Sequence, residues 1–306
     1  MSFLLILVGF AGLLVGGEML VRGAVAVAER LRVSPIVIGV TLVGFGTSMP
    51  ELLTSVQAAM AGAPGIAVGN VVGSNIVNIL LILGAAAAIR PIAVGGAAFR
   101  RDGTVLALAT ALCLAVVLTG TLGRGAGLVF LAGIVGYVVL AIRTGAAVEP
   151  EPDATPPSMG VATLLFLAGL VITIIGARAL VVGAVNLATA WGVSEAVIGL
   201  TVVAVGTSLP ELVTSVVAAR KGQSDLAFGN IVGSNIFNVL GILGVTALVQ
   251  PLAVPPEIAA FDIWVMVAAT VALVAAAVTG WRITRREGLA FVLAYGAYLA
   301  WLGAGV

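Results

Sequence analysis

Ten apolar runs, parted by short polar breaks, account for most of the chain. They cover about 3–28, 35–61, 66–89, 104–120, 125–142, 160–187, 195–219, 226–249, 258–280 and 288–304. A membrane-crossing helix needs about 20 mostly apolar residues, so the pattern predicts ten transmembrane helices. The breaks carry charges or turn residues, as at Arg30 and Arg32, residues 61–65, Arg100 to Asp102, Arg220-Lys221 and Arg285-Arg286. One longer polar stretch, 144–158, holds Glu149, Glu151, Asp153 and four prolines. It is too short for a globular domain and reads as a cytoplasmic linker. It divides the chain into 1–143 and 159–306, with five predicted helices in each part. The expected fold is an all-α integral membrane protein.

Composition agrees. Of 306 residues, 61% are hydrophobic and 9% charged, where a soluble domain carries roughly a quarter charged residues. The formal net charge of +1 gives no reason to expect a nucleic-acid partner. With no histidine and one cysteine, Cys113, a disulfide framework and a Cys/His metal cluster are excluded. So is a catalytic histidine base, and the chain is not read as an enzyme. Cys113 lies in an apolar run and is expected to be a small core residue. The first basic residue is Arg22, so the opening run is read as a membrane span and not a cleaved leader.

Basic residues set the orientation, because cytoplasmic loops are enriched in Lys and Arg. With the N-terminus outside, eleven of them face the cytoplasm: Arg30, Arg32, Arg90, Arg100, Arg101, Arg143, Arg220, Lys221, Arg282, Arg285 and Arg286. Only Arg124 then lies in an external loop. Both termini are expected outside, in a multi-pass protein of the plasma membrane.

Residues 16–78 match 176–238 without a gap at an offset of 160. Five spans per half means that the second copy enters the membrane from the opposite side, giving inverted repeats. The last two spans of each half show no obvious identity and are expected to be scaffold. The densest matches are Gly46-Thr-Ser-Met-Pro-Glu51 with Gly206-Thr-Ser-Leu-Pro-Glu211, and Gly69–Asn78 with Gly229–Asn238. On a continuous helix Thr47 and Ser48 share a face with Glu51. Pro50 removes a donor and kinks the helix, freeing the carbonyl of Gly46; Gly44 loosens the same region. Ala204, Thr207, Ser208 and Glu211 repeat the arrangement around Pro210. The third and eighth spans add Ser74 with Asn78 and Ser234 with Asn238, each pair four apart. Gly69 with Gly73, and Gly229 with Gly233, permit close helix approach. Ionisable groups in such apolar sequence mark function by default. The pooled ligands are all oxygen, the set that hard cations such as Ca²⁺ and Na⁺ prefer. Two bare carboxylates would repel one another. One Ca²⁺, two Na⁺ or two H⁺ would each balance them, which suits exchange.

The doubled motif resembles the α-repeats of the sodium/calcium exchanger family, within the cation/Ca²⁺ antiporter superfamily. The resemblance covers most of the chain and implies Ca²⁺/Na⁺ antiport by alternating access, with four central cation sites and no cofactor. It implies that Glu51 and Glu211 bridge Ca²⁺ and Na⁺ sites. Thr47, Ser48, Thr207 and Ser208 would add oxygens, as would the carbonyls of Gly44 and Ala204. Ser74 and Ser234 would complete outer Na⁺ sites, and Asn78 would face the centre. The first and sixth helices would slide past a fixed core. No regulatory domain is expected, and the chain is expected to work as a monomer. Well-known members carry Asp where this chain has Asn238, which keeps Ca²⁺/H⁺ exchange as an alternative. A passive channel fits less well, because two buried glutamates suit counted occupancy.

The remaining polar residues have plainer readings. Asn70, Asn75, Asn230 and Asn235 are expected to bond backbone across helices. Glu18 and Arg22 are expected to pair on a helix surface. Glu195, Asp225, Glu257 and Asp262 lie near span ends and are expected to be solvated. Arg178, at the position equivalent to Glu18, has no acidic neighbour in sequence.

Overall fold

A computed structural model describes residues 2–145, 157–191 and 204–304. The chain runs α1 (Ser2–Leu31), α2 (Pro35–Thr47), α3 (Met49–Met60), α4 (Pro64–Ile89), α5 (Gly96–Leu118) and α6 (Arg124–Thr144). It continues with α7 (Met159–Ala190), α8 (Ala204–Thr207), α9 (Leu209–Arg220), α10 (Ser224–Val249), α11 (Ile258–Val278) and α12 (Arg285–Ala304). Among the described residues, eight helices are long and apolar enough to cross a membrane, or nine if the bent pair α2–α3 is one span. The start of the predicted seventh span, and Glu195 within it, lie outside the described residues, as does most of the predicted linker.

Packing decides which helices lie inside. Helices α4 and α10 form the centre, with α2, α3 and α9 against them. Helices α5, α6, α11 and α12 lie outside these and leave apolar side chains such as Leu108, Leu128, Val271 and Leu293 exposed. Buried, all-apolar contacts need no polar surface here, because the outward faces would meet lipid. Cys113 is fully buried among them, as its sequence context suggests.

Helices α1 and α7 pair along glycines. A Cβ at Gly176 would fall 2.8 Å from the backbone N of Leu13 and 2.9 Å from the carbonyl of Gly9. One at Gly16 would fall 2.6 Å from the backbone N of Thr173 and 2.9 Å from the carbonyl of Gly169. Residue numbers rise along α1 as they fall along α7, so the two helices run antiparallel.

The 160-residue offset reappears in the contacts. Thr110 and Thr270, 160 apart, face each other with hydroxyl oxygens 3.4 Å apart. Gly62 and Gly222 both take positive φ just beyond α3 and α9, and Gly120 and Gly280 do so beyond α5 and α11. Short strands tie the two parts together. β1 (Ile92–Ala93) pairs antiparallel with β4 (Arg282–Ile283), and β2 (Thr121–Leu122) with β3 (Leu252–Ala253).

The outer helices correspond as well, contrary to the sequence reading. Past α5 and α11 the offset becomes 161. Arg124, Gly127, Phe130 and Tyr137 then match Arg285, Gly288, Phe291 and Tyr298. A Cβ at Gly127 would meet the carbonyl of Gly244 at 2.9 Å, and one at Gly288 the carbonyl of Gly84 at 2.6 Å. A one-residue insertion hid this register from an ungapped comparison.

Candidate functional site

The proline motif breaks its helix one residue earlier than a simple kink would. α2 ends at Thr47, Ser48 has φ −85° and ψ 8°, and α3 begins at Met49. Pro50 is the second residue of α3, where a missing N–H costs nothing. The axes of α2 and α3 differ by 44°. Ser208 breaks α8 from α9 in the same way, with φ −90° and ψ 9°. The expectation that Ser48 and Glu51 share one face of a continuous helix is therefore corrected. Glu51 and Glu211 each sit in the first turn of a new helix, where the helix dipole favours a carboxylate.

The two halves then exchange hydrogen bonds. Ser48 Oγ donates to Glu211 Oε1 at 2.8 Å, and Ser208 Oγ donates to Glu51 Oε1 at 3.0 Å. Thr47 Oγ1 donates to the carbonyl of Val43 at 3.0 Å and lies 3.2 Å from Asn230 Oδ1. Ser234 Oγ donates to the carbonyl of Gly44 at 3.3 Å. That contact needs Gly44, since a Cβ there would lie 2.9 Å from the backbone N of Ser234. Ser74 and Thr207 line a common cavity. Ala204 opens α8, one turn before Thr207. Asn78 and Asn238 fall within π-helical turns, Val77–Leu83 and Phe237–Ile242, a local form frequent at functional sites.

Most of these polar groups are enclosed, with Thr207 half-buried. Glu51 and Glu211 are each 1% exposed, and Thr47, Ser48, Ser74, Asn78, Ser208, Ser234 and Asn238 are buried too. Yet Glu51 Oε2, Glu211 Oε2, Asn78 Oδ1 and both amide atoms of Asn238 have no hydrogen-bond partner among the described residues. Buried polar groups without partners are expensive, and buried charges more so. The donor set is carboxylate, hydroxyl, amide and carbonyl oxygen, which fits a hard cation. The cage thus fits Ca²⁺ or Na⁺ as cargo.

A second layer braces the cage. Asn70 Nδ2 donates to the carbonyl of Glu51 at 3.1 Å and to Ser55 Oγ at 2.9 Å. Asn230 Nδ2 does the same toward the carbonyl of Glu211 at 3.4 Å and Ser215 Oγ at 2.9 Å. These bonds cross between helices, as expected of Asn70 and Asn230. Asn75 instead bonds the carbonyl of Val71 within its own helix, and the side-chain amide of Asn235 has no partner among the described residues. Ser55 and Ser215 were not singled out from sequence. Their repetition at the 160 offset was the available signal.

Two charged residues near span ends differ from expectation. Asp225 and Asp262 are half-buried, and Glu257 is exposed. Tyr298 Oη donates to Asp262 Oδ1 at 2.8 Å, which ties α12 over the start of α11. Among the described residues, Asp262 lines a cavity of about 370 Å³ together with Thr54, Asn70, Ser74, Thr207 and Tyr298. Glu18 pairs with Arg22 at 2.7 Å, as expected, and also receives Lys221 Nζ at 2.5 Å from the end of α9. Arg178 is exposed on α7.

The chain is similar to known proteins over nearly its whole length. The sodium/calcium exchanger protein family matches residues 1–143 and 161–304. CaxA of Alkalimonas amylolytica is 39% identical, covering 96% of each chain. The sodium/calcium exchanger MaX1 of Methanosarcina acetivorans is 34% identical, covering 97% of each. Structures of the sodium-calcium exchanger NCX_Mj superpose with a TM-score of 0.87 at 34% identity, covering 98% of this chain and 97% of that one. With the family matched in both parts of the chain and a solved relative sharing the fold over nearly its whole length, the chain belongs to the sodium/calcium exchanger family.

Proposed function

We propose that this membrane protein exchanges Ca²⁺ against Na⁺ through the cage around Glu51 and Glu211. The observation that carries the reading is the pair of enclosed carboxylates, each with one oxygen lacking a partner among the described residues. One Ca²⁺ or two Na⁺ balance them, so either load can cross while the bare, doubly charged cage is held back by its desolvation cost. Thr47, Ser48, Thr207 and Ser208 supply further oxygens, with Ser74, Ser234, Asn78, Asn238 and the carbonyls of Gly44 and Ala204 around them. Family membership favours Na⁺ over H⁺ as the coupling ion.

In this reading the chain forms ten membrane helices in two inverted halves, 1–143 and 159–306, with both termini outside. The reciprocal contacts at offsets of 160 and 161 support the inversion, and the eleven-to-one split of basic residues supports the orientation. One chain contains a whole cage, so a monomer suffices. The test is radioactive calcium uptake into proteoliposomes, with Na⁺ and H⁺ gradients imposed separately. Wild-type protein should respond to the Na⁺ gradient. Glu51→Gln and Glu211→Gln should each abolish uptake. Uptake driven only by the pH gradient, or retained by both variants, would overturn the proposal.

A further inference from the structure

The two halves differ at one matched pair of residues. Asp102 and Asp262 are 160 apart, and their tyrosine partners Tyr137 and Tyr298 are 161 apart. In the first half the carboxylate is fully compensated. Arg101 donates to Asp102 Oδ1 at 2.6 Å and to Oδ2 at 2.9 Å, and Tyr137 Oη donates to Oδ1 at 3.1 Å. Asp102 is 0% exposed there. In the second half Phe261 stands at the position of Arg101. Among the described residues, Asp262 receives a single hydrogen bond, from Tyr298, and no cationic side chain. Residues 192–203 contain no Lys or Arg that could supply one.

The backbone differs as well. Asp262 closes a π-helical turn, Ile258–Asp262, whereas α5 around Asp102 is α-helical throughout. The π-turns of Asn78 and Asn238 lie at the cage itself. A half-buried carboxylate without a counter-charge, beside apolar helix surface, costs stability that a regular ion pair would save. Asp262 lines the same cavity as Ser74 and Thr207. A negative charge in a low-dielectric cleft concentrates cations there.

We propose that Asp262 and Tyr298 form a transit site for Na⁺ on the outer approach to Ser74 and Thr207. One carboxylate with nearby hydroxyls makes a weak oxygen site of single charge. It suits a monovalent ion that must leave quickly, while Ca²⁺ requires the doubled charge of the cage. Phe261 in place of arginine keeps Asp262 available. The proposal rests on the Na⁺/Ca²⁺ exchange reading and on both termini facing outward.

The experiment measures Na⁺-driven calcium flux in membrane vesicles of single orientation, with Na⁺ supplied to one face and then to the other. For Asp262→Asn, the half-saturating Na⁺ should rise about tenfold on the face that bears the termini. It should be unchanged on the opposite face, and flux at saturating Na⁺ should persist. Phe261→Arg, which copies the neutralised arrangement of the first half, should act in the same direction. Asp262→Glu, which keeps the charge, should retain the wild-type Na⁺ dependence and guards against misfolding of the neutral variant. Unchanged Na⁺ dependence in Asp262→Asn, or an equal rise on both faces, would overturn the transit site while leaving the exchange reading intact. Absence of Na⁺-driven flux in the wild-type protein would instead overturn the exchange reading.

Discussion

Ser48 and Ser208 carry the most specific chemistry at the level of single residues. Ser48-Met-Pro-Glu51 has the spacing of a capping box, in which the serine would cap its own helix and the glutamate reach back. The serine makes no side-chain cap here. Its hydroxyl crosses to Glu211, and Ser208 crosses to Glu51. A hydrogen bond to a charged group contributes about 1.5–3 kcal/mol. Ser48→Ala and Ser208→Ala should therefore each weaken Ca²⁺ binding by about 10-fold to 100-fold, read by isothermal calorimetry in detergent. Because the bonds are reciprocal, the two variants should behave alike. A loss confined to one of them would mean that the glutamates do not share an ion. Asn238 belongs to the same scale: in the proposed reading it offers an oxygen without a third charge, so one Ca²⁺ balances the two glutamates.

Among the helices, the α1–α7 pair stands apart from the rest. It is joined internally through glycine contacts too close for any side chain. The ion pairs among the described residues include one that links this pair to the remaining helices, Glu18 with Lys221. Its symmetry-related positions hold Arg178 and Ala61, which cannot form the same bond. The second half therefore has no counterpart of this link. Half-exposed ion pairs contribute about 0–1 kcal/mol. Lys221→Ala should leave the melting temperature nearly unchanged and alter the turnover rate of exchange, measured as calcium flux at saturating ions. An unchanged rate would assign the pair to surface chemistry alone.

Across the whole molecule, charge asymmetry and internal symmetry make separate statements. In the proposed topology, the excess of basic residues on one set of loops puts both termini on the outside. A reporter active only outside the cell should work at either terminus, and one active only in the cytoplasm at neither. The opposite pattern would invert the proposed path past Asp262 as well. The reciprocal bonds, Ser48 with Glu211 and Ser208 with Glu51, join equivalent helices at the centre and enclose both carboxylates in one cage.

Much of this was legible in the residues alone. Run lengths foretold the all-helical membrane architecture, because lipid leaves the backbone few other ways to satisfy its polar groups; eight or nine of the ten expected spans are among the described residues. The offset of 160 and the matched Gly-Thr-Ser-x-Pro-Glu motifs pointed to the paired glutamates, since a buried charge must have a use. Other features depended on contacts between residues far apart in the chain. Pattern along a single helix implies that Ser48 faces Glu51; only the assembled helices bring it to Glu211, because the break before Pro50 turns it across the midline. The correspondence of α6 with α12 was hidden by one inserted residue and shows only where Gly127 and Gly288 meet facing backbones. Asp262 looked like an ordinary solvated residue at a helix end. Its partial burial and its lone tyrosine partner among the described residues are properties of packing, which local sequence cannot encode; the arginine missing at Phe261 shows in the sequence only once the 160 offset is carried on to Asp102 and Asp262.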